Sequence, residues 1–272
     1  MKKISIINKP TSSWLEPIRL EEQHVLSWEE KDYEIKSWDK STGNIGAKIS
    51  FDIETELVDN NNPKHSPKVV LAVAFNGRSL YTIPANNLKD FIEVHFNSTF
   101  ICHNAAFDIL HTSTHIGDLA FKYKIAEDER IYDTYILSRL VNLAKHGECK
   151  PIKGRYSLLE LSRKYLGLEL PKETTVQGEI VRYSYGKYLE KDLTTMPAAY
   201  WYYCAWDTLS TFFLWQKLTL EAQTLANENN VDPKLLLSHF VQVKAQIALN
   251  LLNREGIGLD KEKVSENKRK LE

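Results

Sequence analysis

Ala47-Lys48-Ile49-Ser50-Phe51-Asp52-Ile53-Glu54-Thr55 alternates with a period of two, the pattern of a β-strand with one face in a core. Ile49, Phe51 and Ile53 share one face, and Ser50, Asp52 and Glu54 share the other. Two carboxylates side by side on one face repel unless positive charge stands between them. A divalent cation fits there, because hard cations take oxygen ligands. By itself the pair also describes a strand with a solvated acidic face; acids farther along the chain bear on the choice.

The chain of 272 residues is long enough for one large domain, or for one domain and part of another. Hydrophobic residues make up 43% and charged residues 26%, ordinary values for a soluble globular chain. The net charge of −1 excludes a polycation, so any nucleic-acid site must be a local basic lining. Cys102, Cys149 and Cys204 are odd in number and form no C-x-x-C pair. That suggests neither a disulfide framework nor a zinc knuckle, and it fits a reducing compartment. The opening MKKISIINKP has no apolar run suited to a signal peptide, and no segment approaches the length of a membrane span. A cytoplasmic, nucleoid-associated or other reducing location is expected, not secretion.

Residues 1–46 hold a possible short strand at Lys3–Ile7 and three tryptophans, Trp14, Trp28 and Trp38, among many charges. This extension is expected either to pack on the main domain or to serve a partner. After the Asp52 strand, Val69–Phe75 reads as a second strand. Asn76-Gly77 is a hairpin signal, and Leu80–Ile83 returns as a third strand. Leu88, Phe91, Ile92 and Phe96 have helical spacing, and Phe100-Ile101-Cys102 suits a buried parallel strand. In His103-Asn104-Ala105-Ala106-Phe107-Asp108, Asn104 is expected to cap a helix, with Asp108 in its first turns pointing back toward the strand end. Arg130–Asp133 is a further short strand and Thr134–Asn142 a helix, with Asp133 as N-cap.

Ala144–Arg155 is a basic loop, followed by a helix over Tyr156–Leu166 with Gly167 as C-cap. Glu179–Asp192 interleaves Arg182, Tyr183, Tyr185, Lys187 and Tyr188. Such a segment either stacks on a single strand or packs as an irregular tyrosine-rich piece. Pro197 opens a helix in which Tyr203 and Asp207, four apart, share a face. Asp232-Pro233 opens a last long helix with Leu236, Phe240, Val243, Ile247 and Leu251 as its stripe. Arg254-Glu255-Gly256 ends it, and Asp260 caps the charged stretch beyond.

Together these motifs resemble the 3′–5′ exonucleases of the DEDD superfamily, in the tyrosine-bearing branch found in family A DNA polymerases. FDIETE resembles the first motif, Asp-x-Glu; NAAFD the second, Asn-x-x-x-Asp; and YCAWD the third, Tyr-x-x-x-Asp. YSLLELSRKYLGLELPKE is similar to the helix ahead of the third motif. Position 202, five before Asp207, is tyrosine and not the histidine of the sister branch. The resemblance implies a ribonuclease H-like α/β fold, with a mixed sheet of antiparallel meander and parallel strands flanked by helices. It implies residues 47–222 as the exonuclease domain, 1–46 as an extension, and 223–272 as a helical connector. That connector, with REGIGLD at 254–260, resembles the start of a polymerase domain, although no palm motif follows.

By the same resemblance Asp52, Glu54, Asp108 and Asp207 hold two Mg²⁺ or Mn²⁺ ions, which in such sites lie about 3.5–4 Å apart. Tyr203 orients the attacking water, and Thr55, His103, Asn104 and Phe107 hold the terminal nucleotide. The expected reaction is removal of nucleotides from single-stranded or frayed DNA 3′ ends, beside a downstream polymerase domain. Two alternatives stay open: RNA 3′-end trimming of the ribonuclease D kind, and a catalytically silent nucleic-acid-binding module.

Overall fold

A computed structural model describes residues 15–17, 24–59, 61–62, 64–147, 154–232, 237–256 and 260–271. The expected Lys3–Ile7 strand, Trp14, Cys149, Pro233, Leu236 and part of REGIGLD lie outside them.

The elements in chain order are β1 (His24–Trp28), β2 (Lys31–Ser37), β3 (Lys48–Thr55), β4 (Val69–Phe75), β5 (Ser79–Pro84), α1 (Leu88–Val94), β6 (Thr99–Cys102), α2 (Ala105–His115), α3 (Phe121–Glu127), β7 (Ile131–Asp133), α4 (Thr134–His146) and α5 (Leu158–Leu166). A small hairpin, β8 (Thr175–Val176) and β9 (Glu179–Ile180), leads to α6 (Ala198–Glu228), α7 (Leu237–Glu255) and α8 (Lys261–Leu271). One seven-stranded sheet runs β1-β2-β5-β4-β3-β6-β7. The meander β3-β4-β5 is antiparallel, and β6 and β7 continue it in parallel with β3. This is the expected ribonuclease H-like α/β arrangement.

The meander turns at Asn76, whose Oδ1 accepts from the Arg78 and Ser79 amides. Gly77 there has φ +89°, and a Cβ on it would stand 3.2 Å from the Phe212 ring, so a larger residue is strained on both counts. Each sheet face buries its own core. Phe51, Ile49, Phe91 and Phe100 fill one, under α1, α2 and α3. Leu71, Val73 and Phe75 meet α6 in the other.

Both segments expected to flank the exonuclease domain contribute packing to it. Of residues 1–46, β1 and β2 enlarge the sheet, β2 pairing in parallel with β5. Leu26, Trp28, Tyr33 and Ile35 supply its apolar face, and Trp38 is fully buried on the opposite core. Helix α7 packs on α2, α3, α4 and β7. Val243 and Ile247 are buried in the same core as Phe51. Helix α8, capped by Asp260 as expected, is exposed along its length.

Candidate active site

Parallel strands β3, β6 and β7 end at the same side of the sheet, and their carboxyl ends carry most of the singled-out residues. Asp52 and Glu54 occupy the last turns of the β3 pleat, next to a register shift between Glu54 and Thr55. Such irregularities re-aim side chains at a strand end. Helix α6 crosses β3 here, held by the Ser50 hydroxyl donating to the Thr208 carbonyl at 2.8 Å. The crossing brings Asp207 to the pair: carboxylate oxygens of Asp52, Glu54 and Asp207 lie within 4.8 Å of one another. Asp108, on α2, is buried and stands outside this trio; its Oδ1 accepts from the Ile53 amide at 3.3 Å.

Burial raises all four carboxyl groups. Asp52 is pushed up to about 8, by burial first and by Asp207 next, with Lys172 pulling the other way. Asp207 is buried, and its Oδ1 has no hydrogen-bond partner. Lys172 donates to its other oxygen and to the Tyr203 hydroxyl at 3.1 Å. Tyr203 is buried too, and burial followed by the charge of Asp207 holds its phenol far above the ordinary tyrosine range. At neutral pH Tyr203 is therefore a neutral hydrogen-bonding group and no base.

The opposite side of the cleft is built on neutral contacts. Asn104 is the expected residue at the start of α2, but its side chain caps nothing. Its backbone is left-handed, φ 70° and ψ 52°, a conformation that asparagine tolerates better than most residues. Asp133 imposes the turn. Its buried carboxylate accepts from the Asn104 and Ala105 amides, at 3.2 and 2.8 Å, and caps α4 through Tyr135 and Ile136. The Asn104 Oδ1 instead accepts from Gln246 of α7 at 3.1 Å. His103 lies against the Thr134 hydroxyl at 2.9 Å; burial, then Lys172, lowers it to about 3, so it stays neutral.

Between the two sides lies a cleft of about 700 Å³. Asp52, His103, Asn104 and Asp207 line it, together with Lys172, Arg182 and Gln246. Thr55 and Phe107 are not among the residues that line it: the Thr55 hydroxyl donates to the Glu56 carbonyl, and Phe107 packs edge-on to His111. Of the tyrosine-rich segment, Tyr185 is buried with its hydroxyl on the Tyr200 carbonyl, and Tyr188 packs on the Tyr200 ring. Packing thus takes most of that segment; Tyr183 stays exposed under the Arg182 guanidinium.

The donor set suits a hard divalent cation: three clustered carboxylates, one with a buried oxygen free to ligate. A family model described as 3′–5′ exonuclease matches residues 27–223. The chain belongs to this family. Its start at residue 27 agrees with β1 and β2 being part of the exonuclease sheet, and its end leaves α7 to this chain's own description. The exonuclease fold is similar to Brucella melitensis NrnC, with a TM-score of 0.54 at 16% identity, covering 82% of this chain and 94% of that one. The same protein with bound Mg²⁺ gives 0.51 at 15% identity, covering 83% and 96%. Escherichia coli RNase D gives 0.50 at 14% identity over 78% of this chain and 46% of that one. No curated protein sequence matches.

Three residues of the candidate site escape a motif reading: Lys172, Asp133 as the Asn104 clamp, and Gln246; Arg182 belongs to the tyrosine-rich segment already read as able to meet a single strand. Lys172 lies inside the quoted YSLLELSRKYLGLELPKE stretch, but a lone basic residue after a helix carries no local sign of where it points. Asp133 is recognisable as a cap, and its second pair of amide bonds is long-range. Gln246 sits on the polar side of a helix whose neighbours sequence does not give.

Proposed function

We propose that this exonuclease trims single-stranded RNA from the 3′ end, with Asp52, Glu54, Asp108 and Asp207 holding two Mg²⁺ or Mn²⁺ ions. The carboxylate trio within 4.8 Å is the observation that carries the reading. Divalent ions held by these carboxylates would supply positive charge against the phosphoryl group and help to activate a water for attack. Tyr203, neutral and adjacent to Asp207, orients that water through its hydroxyl. Asn104 and His103 border the terminal nucleotide, with Thr55 and Phe107 supporting the pocket behind them. Arg182 places a guanidinium in the cleft for the phosphate backbone.

RNA is favoured by the similarity to NrnC, seen also bound to pGG, and to RNase D, titled an exoribonuclease involved in structured RNA processing. The packing of α7 on the nuclease body accounts for its apolar stripe without a further domain to cover it. Proofreading of DNA 3′ ends is the second reading, favoured by the REGIGLD resemblance. Cys102 and Cys204 are buried free thiols, in keeping with a reducing, cytoplasmic setting. No described helix is long and apolar enough to cross a membrane.

The test uses matched RNA and DNA oligonucleotides, labelled at the 5′ end, with Mg²⁺ or with chelator. Stepwise shortening of RNA from the 3′ end, faster than DNA and absent in chelator, is expected. Full activity in chelator would sink the metal reading, and a preference for DNA would restore proofreading.

A further inference from the structure

Lys172 follows Pro171 in the loop after α5 and reaches into the acid side of the cleft. Its side chain is 16% exposed and that of Asp207 9%, so the pair is largely out of water. The same ammonium donates to the Tyr203 hydroxyl and lies 4.7 Å from the Tyr203 ring centre. Ionised carboxylates packed this closely require a cation, and lysine is one, carried on a flexible four-carbon stem.

We propose that Lys172 is the resident counter-ion of the carboxylate trio, one that a divalent ion must displace from Asp207. The inference rests on the metal-dependent reading above. One Asp207 oxygen is taken by the ammonium and the other is buried without a partner. A divalent ion bound to the free oxygen would sit beside a like charge, so metal binding and the Lys172–Asp207 pair oppose each other. The opposition is reciprocal: whatever the ammonium contributes to the metal-free protein, it subtracts from metal affinity. Once displaced, Lys172 still borders the cleft beside Arg182, where its charge meets substrate phosphate.

The test is a calorimetric Mn²⁺ titration of the full chain without substrate, in wild type, Lys172→Met, Lys172→Gln and Lys172→Arg. The two neutral variants should bind Mn²⁺ more tightly, on the order of tenfold, while the Arg variant stays near wild type. Their metal-free melting midpoints should fall, and the rise on adding Mn²⁺ should exceed that of wild type. Neutral variants that fold only with Mn²⁺ would support the proposal equally. Unchanged or weaker Mn²⁺ affinity in folded neutral variants would overturn it, as would neutral variants that stay unfolded in Mn²⁺. A wild type that binds no Mn²⁺ would instead remove the metal site itself, a result distinct from equal binding by wild type and variants.

Discussion

On one side of the cleft, β3 and α6 press Asp52, Glu54 and Asp207 within 4.8 Å of one another, with Lys172 against them. On the other, β6, β7 and α7 meet through His103, Asn104, Gln246 and His239, held by hydrogen bonds among neutral groups and backbone amides. Asp133 brings a carboxylate there, and backbone donors surround it. The acid side is coupled by charge, so a change there acts on the chemistry. The amide side is coupled by geometry, so a change there acts on folding and on substrate placement.

Ending the chain at residue 231 gives the widest test of that division. It removes Val243 and Ile247 from the core, at about 1.5–3 kcal/mol for each apolar side chain, and takes the buried His239 away with them. Loss of soluble, cooperatively melting protein is expected; a truncated chain that melts like wild type would make α7 an accessory. Asp52→Ala comes next. Catalysis should drop by several orders of magnitude, because it strips a metal-holding group, while melting is unharmed, because it relieves repulsion among clustered acids. Single-turnover rates alongside thermal melts separate the two effects. Tyr203→Phe should lose roughly 10²–10⁴-fold in the same assay and keep its Mn²⁺ affinity, as fits a group that aligns water. Wild-type rates for this variant, with loss in Tyr202→Phe, would show that the third motif had been placed in the wrong register.

On the amide side, His239 tests the electrostatic quiet. Its Nε2 accepts from the Asp133 amide at 2.9 Å, and burial lowers it to about 4. A depressed histidine contributes stability that is present above its ordinary value near 6.5 and is lost as pH falls toward 4. The loss amounts to about 3 kcal/mol. Asp133, raised to about 6 by burial, works in the opposite sense, its contribution fading as pH rises. Urea midpoints of wild type and His239→Gln between pH 4 and 7 isolate the histidine: the gap between the two should narrow as pH falls. A constant gap would contradict the assignment. Smallest of all, Gln246→Ala should raise KM about three- to tenfold with kcat little changed, the worth of one hydrogen bond orienting Asn104. A fall confined to kcat would move Gln246 to the chemical step.

The same contrast governs how much was legible in the sequence. Residues on the acid side announce themselves, because Ile49, Phe51 and Ile53 alternate with the acids and Tyr203 and Asp207 keep helical spacing. Strands β1 and β2 carry a comparable signal in Leu26, Trp28, Tyr33 and Ile35, masked by the charges between them. Asn104 was expected to cap with its side chain; instead a left-handed turn, imposed by Asp133 from 29 residues away, frees that side chain for the cleft. The stripe of α7 was recognisable as apolar, but a stripe does not say what covers it. Lys172 had no pattern to reveal it, since a loop leaves its direction to tertiary packing.

The crossing of α6 over β3 has a consequence for synthesis in the cell. The contact between Ser50 and Thr208 joins residues 158 apart in the chain. Ribosomes add about 5–20 residues per second, so Asp52 and Glu54 leave the tunnel roughly 8–30 s before Asp207 can join them. During that interval the nascent polypeptide carries an incomplete set of the acids proposed to hold metal. On the proposed reading, the enzyme would stay inactive toward nucleic acid around the ribosome until nearly the whole catalytic body has been made.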